Sequence, residues 1–115
     1  MKDDSIYIDH ILNSINRILD YISGKDGEAF EADLVTQDAV VRQLEIIGET
    51  TKRVSKELRS EHPDIPWADM AGMRDVLIHD YLDVDFGVVW KTASEDIPQL
   101  KTLLIKIHLR RPNPD

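Results

Sequence analysis

Ile8-Asp9-His10-Ile11-Leu12-Asn13-Ser14-Ile15-Asn16-Arg17-Ile18-Leu19-Asp20-Tyr21-Ile22 is the stretch whose reading decides the fold class. Ile8, Ile11, Leu12, Ile15, Ile18, Leu19 and Ile22 recur at intervals of three and four. That spacing gathers them on one stripe of a helix with 3.6 residues per turn, where a half-buried strand would alternate at every second position. Gly24 stands just beyond the stripe, where a glycine stops a helix most readily.

The same period continues toward the C-terminus. Residues 24–35 mix Gly, Asp, Glu and Phe without a period and read as a connection, with Phe30 and Leu34 expected to pin it to the core. Thr36 is the expected N-cap of a second helix carrying Val40, Leu44, Ile47, Thr51, Val54 and Leu58. His62-Pro63-Asp64-Ile65-Pro66 breaks that helix. A third helix is expected from Pro66 or Trp67, burying Trp67, Met70, Ala71, Val76, Leu77 and Ile78 and running into His79-Asp80-Tyr81. Asp83 and Asp85 suggest a turn and a fresh cap. A fourth helix then holds Phe86, Val89, Trp90, Ala93, Ile97, Leu100, Leu104 and Ile107 in one phase. Pro98 lies inside that stripe, so a kink is expected between Ser94 and Pro98. The fold class is all-α, a bundle of four main helices, with residues 1–109 as one domain and 110–115 as a tail expected to fray.

Composition bounds the chemistry. A chain of 115 residues without cysteine excludes disulfides, zinc-thiolate sites and thiol nucleophiles, and fits a reducing cytoplasm. No apolar run approaches a membrane span, and Met1-Lys2-Asp3-Asp4-Ser5 does not read as a signal peptide. The net charge is −8, from 22 acidic and 14 basic residues, so any hold on nucleic acid must come from a local patch. Lys52, Arg53, Lys56 and Arg59 form the one basic group of note. Placed in the last turns of the second helix they suit its dipole, whether as a solvated end or as an RNA-facing patch.

The stretch that could carry chemistry is Met73-Arg74-Asp75-Val76-Leu77-Ile78-His79-Asp80-Tyr81. On an unbroken helix five residues turn roughly 500°, leaving Arg74 and His79 roughly 140° apart. Both can reach one phosphate only if the helix ends near His79 or a second subunit contributes. His is the side chain that titrates near neutrality and can serve as a base toward a 2′-hydroxyl. A guanidinium can hold a phosphate that gains charge in the transition state. One subunit offers one such base and no second acid, which is the chemical reason to expect a twofold dimer. Structural roles compete at every position: Arg74 as a carbonyl cap, His79 in a surface groove, Tyr81 as a half-buried packing residue. Asp80, Asp83 and Asp85 lack the calcium-loop pattern and read as turn and cap residues. His10, His62 and His108 share no ligand spacing with His79, so neither metal nor cofactor is expected.

Arg74-Asp75-Val76-Leu77-Ile78-His79-Asp80-Tyr81 resembles the Arg-x4-His-x-Tyr motif of HepT-like ribonucleases, a branch of the HEPN superfamily. The resemblance extends over nearly the whole chain, through Leu34 to Val40, Gln43-Leu44-Glu45-Ile46-Ile47-Gly48-Glu49, Pro66-Trp67, Met70-Ala71-Gly72-Met73, Val84-Asp85, Val89-Trp90 and Glu95-Asp96-Ile97-Pro98-Gln99-Leu100. It implies an up-and-down HEPN bundle and a metal-independent endoribonuclease acting as the toxin of a type VII-like toxin–antitoxin pair. Arg74 and His79 would be catalytic, lining a cleft at a homodimer interface, with Asp75 and Tyr81 in support. Asp75 stands where relatives often carry Asn. The implied partner is a minimal nucleotidyltransferase antitoxin that adds AMP to Tyr81, placing negative charge beside Arg74 and His79. Two other readings stay open on the residues alone: a non-catalytic helical module that docks such a nucleotidyltransferase, and a plain structural dimer.

Overall fold

Asp3 opens the first helix, its carboxylate accepting the Ser5 backbone N–H at 2.9 Å in a computed structural model that describes residues 3–73, 75, 78–80 and 83–110, with backbone alone at 78–80, 83 and 108–110. Helix α1 (Asp4–Ile22) buries Ile8, Ile11, Ile15 and Ile18 completely, with Leu12 and Ile22 at the edges of the same stripe. Each such side chain contributes roughly 1.5–3 kcal/mol of burial, so this stripe organises the core. The chain leaves the helix through Ser23 and Gly24, whose φ of 76° is the left-handed conformation that glycine adopts without strain.

The expected connection contains a short helix of its own. α2 (Gly27–Glu31) is capped by Asp26, which accepts the Ala29 N–H at 2.8 Å. Phe30 is buried as expected, whereas Leu34, expected to pin the loop, is 71% exposed. The next helix starts earlier than Thr36: α3 runs Leu34–Thr51, with Asp33 as N-cap. The Asp33 carboxylate accepts both the backbone N–H and the hydroxyl of Thr36, so Thr36 is the residue that answers the cap. Gln37, 2% exposed, donates to the Phe30 and Glu31 carbonyls at 2.8 and 2.7 Å, satisfying the end of α2 from the first turns of α3.

The long second helix expected through Leu58 is in fact two. α3 ends at Thr51, and α4 (Lys56–Glu61) follows with Ser55 as N-cap. Val54 is still buried and Leu58 half-buried, so the apolar spacing carried across the break without requiring a continuous helix. The reason for the break lies in α1. Ser55 donates its backbone N–H to Asp4 Oδ1 at 2.9 Å and its hydroxyl to Oδ2 at 2.6 Å, so the N–H that would extend α3 is taken from 51 residues away.

The third helix starts where expected and stops sooner. α5 spans Trp67–Ala71 and is interrupted at Gly72, after which Met73 and Asp75 are again helical. The helix expected to reach His79 does not. Ile78–Asp80 form a strand, β1, paired antiparallel with β2 (Asp83–Val84), Ile78 opposite Val84 and Asp80 opposite Asp83. This hairpin is a small addition to an all-α molecule. Asp85 is the expected fresh cap, accepting the N–H groups of Gly87 and Val88 ahead of α6 (Phe86–Lys91). A π-helical turn at Thr92–Asp96 joins α6 to α7 (Ile97–Arg110), at the place expected to kink. Pro98 cannot donate to Ser94 and its ring crowds that carbonyl. The widened turn, in which Ile97 donates to Thr92, absorbs the conflict.

Val89, Ala93, Ile97, Leu100, Leu104 and Ile107 are buried along α6 and α7. α1 packs on α3 and α7, α5 leans on α3, and α2 bridges α3 and α6. Residues 111–115 of the expected tail lie outside the described residues.

Candidate functional site

The approach to the motif is held firmly. Trp67 is buried and donates its indole N–H to the His62 carbonyl at 3.0 Å, fixing the proline-rich corner under α5. Met70 and Met73 are core residues. Gly72 donates to the Ala68 carbonyl and Asp75 to the Gly72 carbonyl, each at 3.0 Å, so the chain turns out of α5 with Met73 inward and Asp75 exposed.

Of the residues singled out by sequence, Arg74 and Tyr81 lie outside the described residues, and His79 is described by its backbone alone. That backbone is the middle of β1. The angular objection to Arg74 and His79 acting together applied to one unbroken helix, and the helix has ended before Ile78. Asp75 faces solvent and can orient a neighbour or repel an anion.

Two surface features flank this segment. Between α5 and α7 a cavity of about 200 Å³ is floored by Met70, Met73, Leu100 and Leu103 and rimmed by Asp69 and Asp96. Its apolar floor and carboxylate rim make it a poor seat for phosphate. The cations gather elsewhere, at the corner between α3 and α4. Lys52, Arg53 and Lys56 are exposed there and Arg59 half-exposed. Contrary to expectation, they do not sit in the last turns of one helix: Lys52 and Arg53 occupy the break, and Lys56 opens α4. Lys52 reaches Glu49 at 3.6 Å, and Arg59 Nε donates to the Ser55 carbonyl at 3.4 Å. Arg53 also borders a shallow groove of about 390 Å³ along the outer face of α3, with Arg42, Glu45, Ile46 and Glu49.

The titration of Asp33 is displaced by its role as a cap. The Thr36 hydroxyl, then the Thr36 N–H, then Lys25 at 3.3 Å hold its carboxyl at about 2 against an ordinary 3.8. This belongs to helix capping rather than catalysis. Among the described residues no three carboxylate or imidazole groups gather as metal ligands, and no helix is long and apolar enough to cross a membrane.

One feature leaves no mark in the helical period. By sequence Phe30 is a loop pin, and Phe86 and Trp90 belong to a buried stripe. Phe30 is buried, yet Phe86 and Trp90 are only half-buried, and the three rings line an open cavity of about 350 Å³ between α2 and α6. The α6 stripe is in phase with the core, so helical period could not reveal that its first turn is left partly uncovered.

Comparison with known proteins gives a consistent result. The family model described as Ribonuclease HepT-like matches residues 11–107. The chain is 44% identical over 106 residues to "Gamma-glutamylcyclotransferase and putative RNase MJ0434" of Methanocaldococcus jannaschii, covering 92% of this chain and 48% of that protein, about half its length. It is 42% identical over 101 residues to "Putative RNase TTE0752" of Caldanaerobacter subterraneus subsp. tengcongensis, covering 88% of this chain and 90% of that one. It is 47% identical over 95 residues to "Probable ribonuclease HepT" of Thermococcus cleftensis, covering 83% and 86% respectively. No solved structure matches the chain.

Proposed function

Because the chain belongs to the HepT-like ribonuclease family, we propose that it is a metal-independent endoribonuclease, the toxin of a type VII-like toxin–antitoxin pair. The observation that carries this reading is the family match over residues 11–107, a span that includes Arg74, Asp75, His79 and Tyr81. The end of the helix before Ile78 supports it, since an intact helix would have turned Arg74 and His79 apart.

In this reading two subunits form one cleft. His79 takes the proton of an RNA 2′-hydroxyl as that oxygen attacks the adjacent phosphorus. The phosphorus–5′-oxygen bond breaks, and His79 of the partner subunit, as imidazolium, returns a proton to the leaving oxygen. Arg74 holds the phosphate oxygens as charge gathers on them. The products are a 2′,3′-cyclic phosphate and a 5′-hydroxyl. A minimal nucleotidyltransferase partner silences the site by transferring AMP from ATP to the Tyr81 hydroxyl, with pyrophosphate leaving. The added phosphate repels RNA from the cations beside it.

The test is RNA cleavage by unmodified protein in EDTA, beside Arg74→Ala and His79→Ala, with the product ends identified. Cleavage that survives chelation, ends in cyclic phosphate and disappears in both variants is the expected result. Intact RNA after incubation with dimeric protein free of AMP would overturn the enzyme reading and leave a module that docks the nucleotidyltransferase.

A further inference from the structure

The chain contains two phenylalanines and two tryptophans, and both phenylalanines and one tryptophan line the cavity between α2 and α6. Phe30 and Trp90 pack with ring centroids 5.3 Å apart and planes inclined at 37°. Gly27 lies so close to Trp90 that a Cβ there would stand 3.3 Å from Nε1, so the glycine permits the ring its position. Phe86 completes the aromatic wall. An interior of this kind would ordinarily be closed over by more apolar side chains, but here it stays open to solvent.

The rim is acidic. Glu28 and Glu31 stand three apart on α2, both exposed and both lining the cavity. Neither carboxylate has an ion pair among the described residues, while the other acids nearby are engaged. Asp26 caps α2, Asp85 caps α6, and Asp33 holds Thr36 and Lys25. The Trp90 indole N–H likewise has no acceptor among the described residues.

We propose that this cavity receives the guanidinium of an arginine side chain presented by a protein partner. A guanidinium is flat and weakly hydrated, stacks on aromatic faces, and presents N–H groups in a fork that suits a carboxylate. The two features of the site, aromatic wall and free glutamates, meet both halves of that chemistry. An ammonium has no planar face to offer. A nucleobase could stack, but its phosphates would approach Glu28 and Glu31 on a chain whose net charge is −8. The proposal uses none of Arg74, His79 or Tyr81 and stands apart from the nuclease reading.

The experiment follows the two indole N–H resonances of the full-length protein by NMR. Trp67, buried and bonded to the His62 carbonyl, serves as internal reference. Acetyl-Gly-Arg-Gly-amide is titrated to millimolar concentration beside the lysine analogue and guanosine monophosphate. A saturable shift of Trp90 with the arginine peptide is expected, with Trp67 unmoved. Binding should weaken about tenfold in Glu28→Gln/Glu31→Gln, two exposed changes that leave the fold intact. Equal response to the lysine peptide, response to the nucleotide alone, no shift with the arginine peptide, or full binding by the double variant would each overturn the proposal.

Discussion

Gln37 illustrates how much a single side chain can hold together here. Its amide satisfies two carbonyls at the end of α2 while buried in the first turns of α3. Gln37→Leu would keep the volume but strand the Glu31 carbonyl, while the Phe30 carbonyl keeps the Asp33 N–H at 3.1 Å, so a loss of about 1–2 kcal/mol is expected in chemical denaturation. Asp33, four residues before it, gives a pH-dependent counterpart. Its folded pKa of about 2 lies below the ordinary 3.8, so the fold favours its charged form. The stabilisation is complete above pH 4 and is lost as the pH falls toward 2. Asp33→Asn should therefore trail the native protein above pH 4, and the gap should close on acidification; a constant gap would show that charge is not the cause. At this scale the sequence was partly legible. Thr36 has the chemistry of a cap, but Asp33 could win the role only because Thr36 and Lys25 both answer it.

The elements obeyed their apolar period and departed from it where a distant polar group intervened. The stripes of α1 and of α6–α7 were readable because burial alone decides them. The break after Thr51 was not, because its cause is Asp4, far away in the chain. A double-mutant cycle checks that cause. Asp4→Ala and Ser55→Ala should each cost about 1–2 kcal/mol, and together should fall short of additive by about 1 kcal/mol, because they share only the hydroxyl bond: Asp4→Ala also frees the Ser55 amide, and Ser55→Ala also loses the cap on Leu58. The expected helix through Ile78 to His79 failed for a different reason: helical structure resumes beyond Gly72 at Met73 and Asp75, but Ile78 to Asp80 pair as β1 with β2, a partner that periodicity cannot foresee. Pro98 was the exception, a local cause with a local effect, and the π turn fell where the proline required it.

For the molecule as a whole, the charge distribution governs how RNA can be approached. The acidic total leaves the corner of Lys52, Arg53, Lys56 and Arg59 as the described surface most suited to phosphate. RNA binding should then depend on salt with a slope of log K against log[salt] near −3, as about four contacts to a single strand require. Lys56→Glu should flatten it by about one unit or more. A slope steeper than about −6 would point to a broad field that this chain does not possess. The proposed catalytic motif was legible as residues and not as geometry: Arg74 and His79 stand out by type, whereas bringing two side chains to one phosphate would need the end of a helix and, in the proposed dimer, a second chain.

The hydrogen bond from the Ser55 amide to Asp4 has a further use. An amide proton held by a carboxylate 51 residues earlier exchanges with deuterium only when Ser55 and the N-terminal turn separate. Its exchange rate therefore times the undocking of the N-terminal turn from the basic corner. RNA settling on that corner should slow the clock, an arginine peptide in the aromatic cavity should leave it unchanged, and a bulky fusion joined close to Asp4 should quicken it.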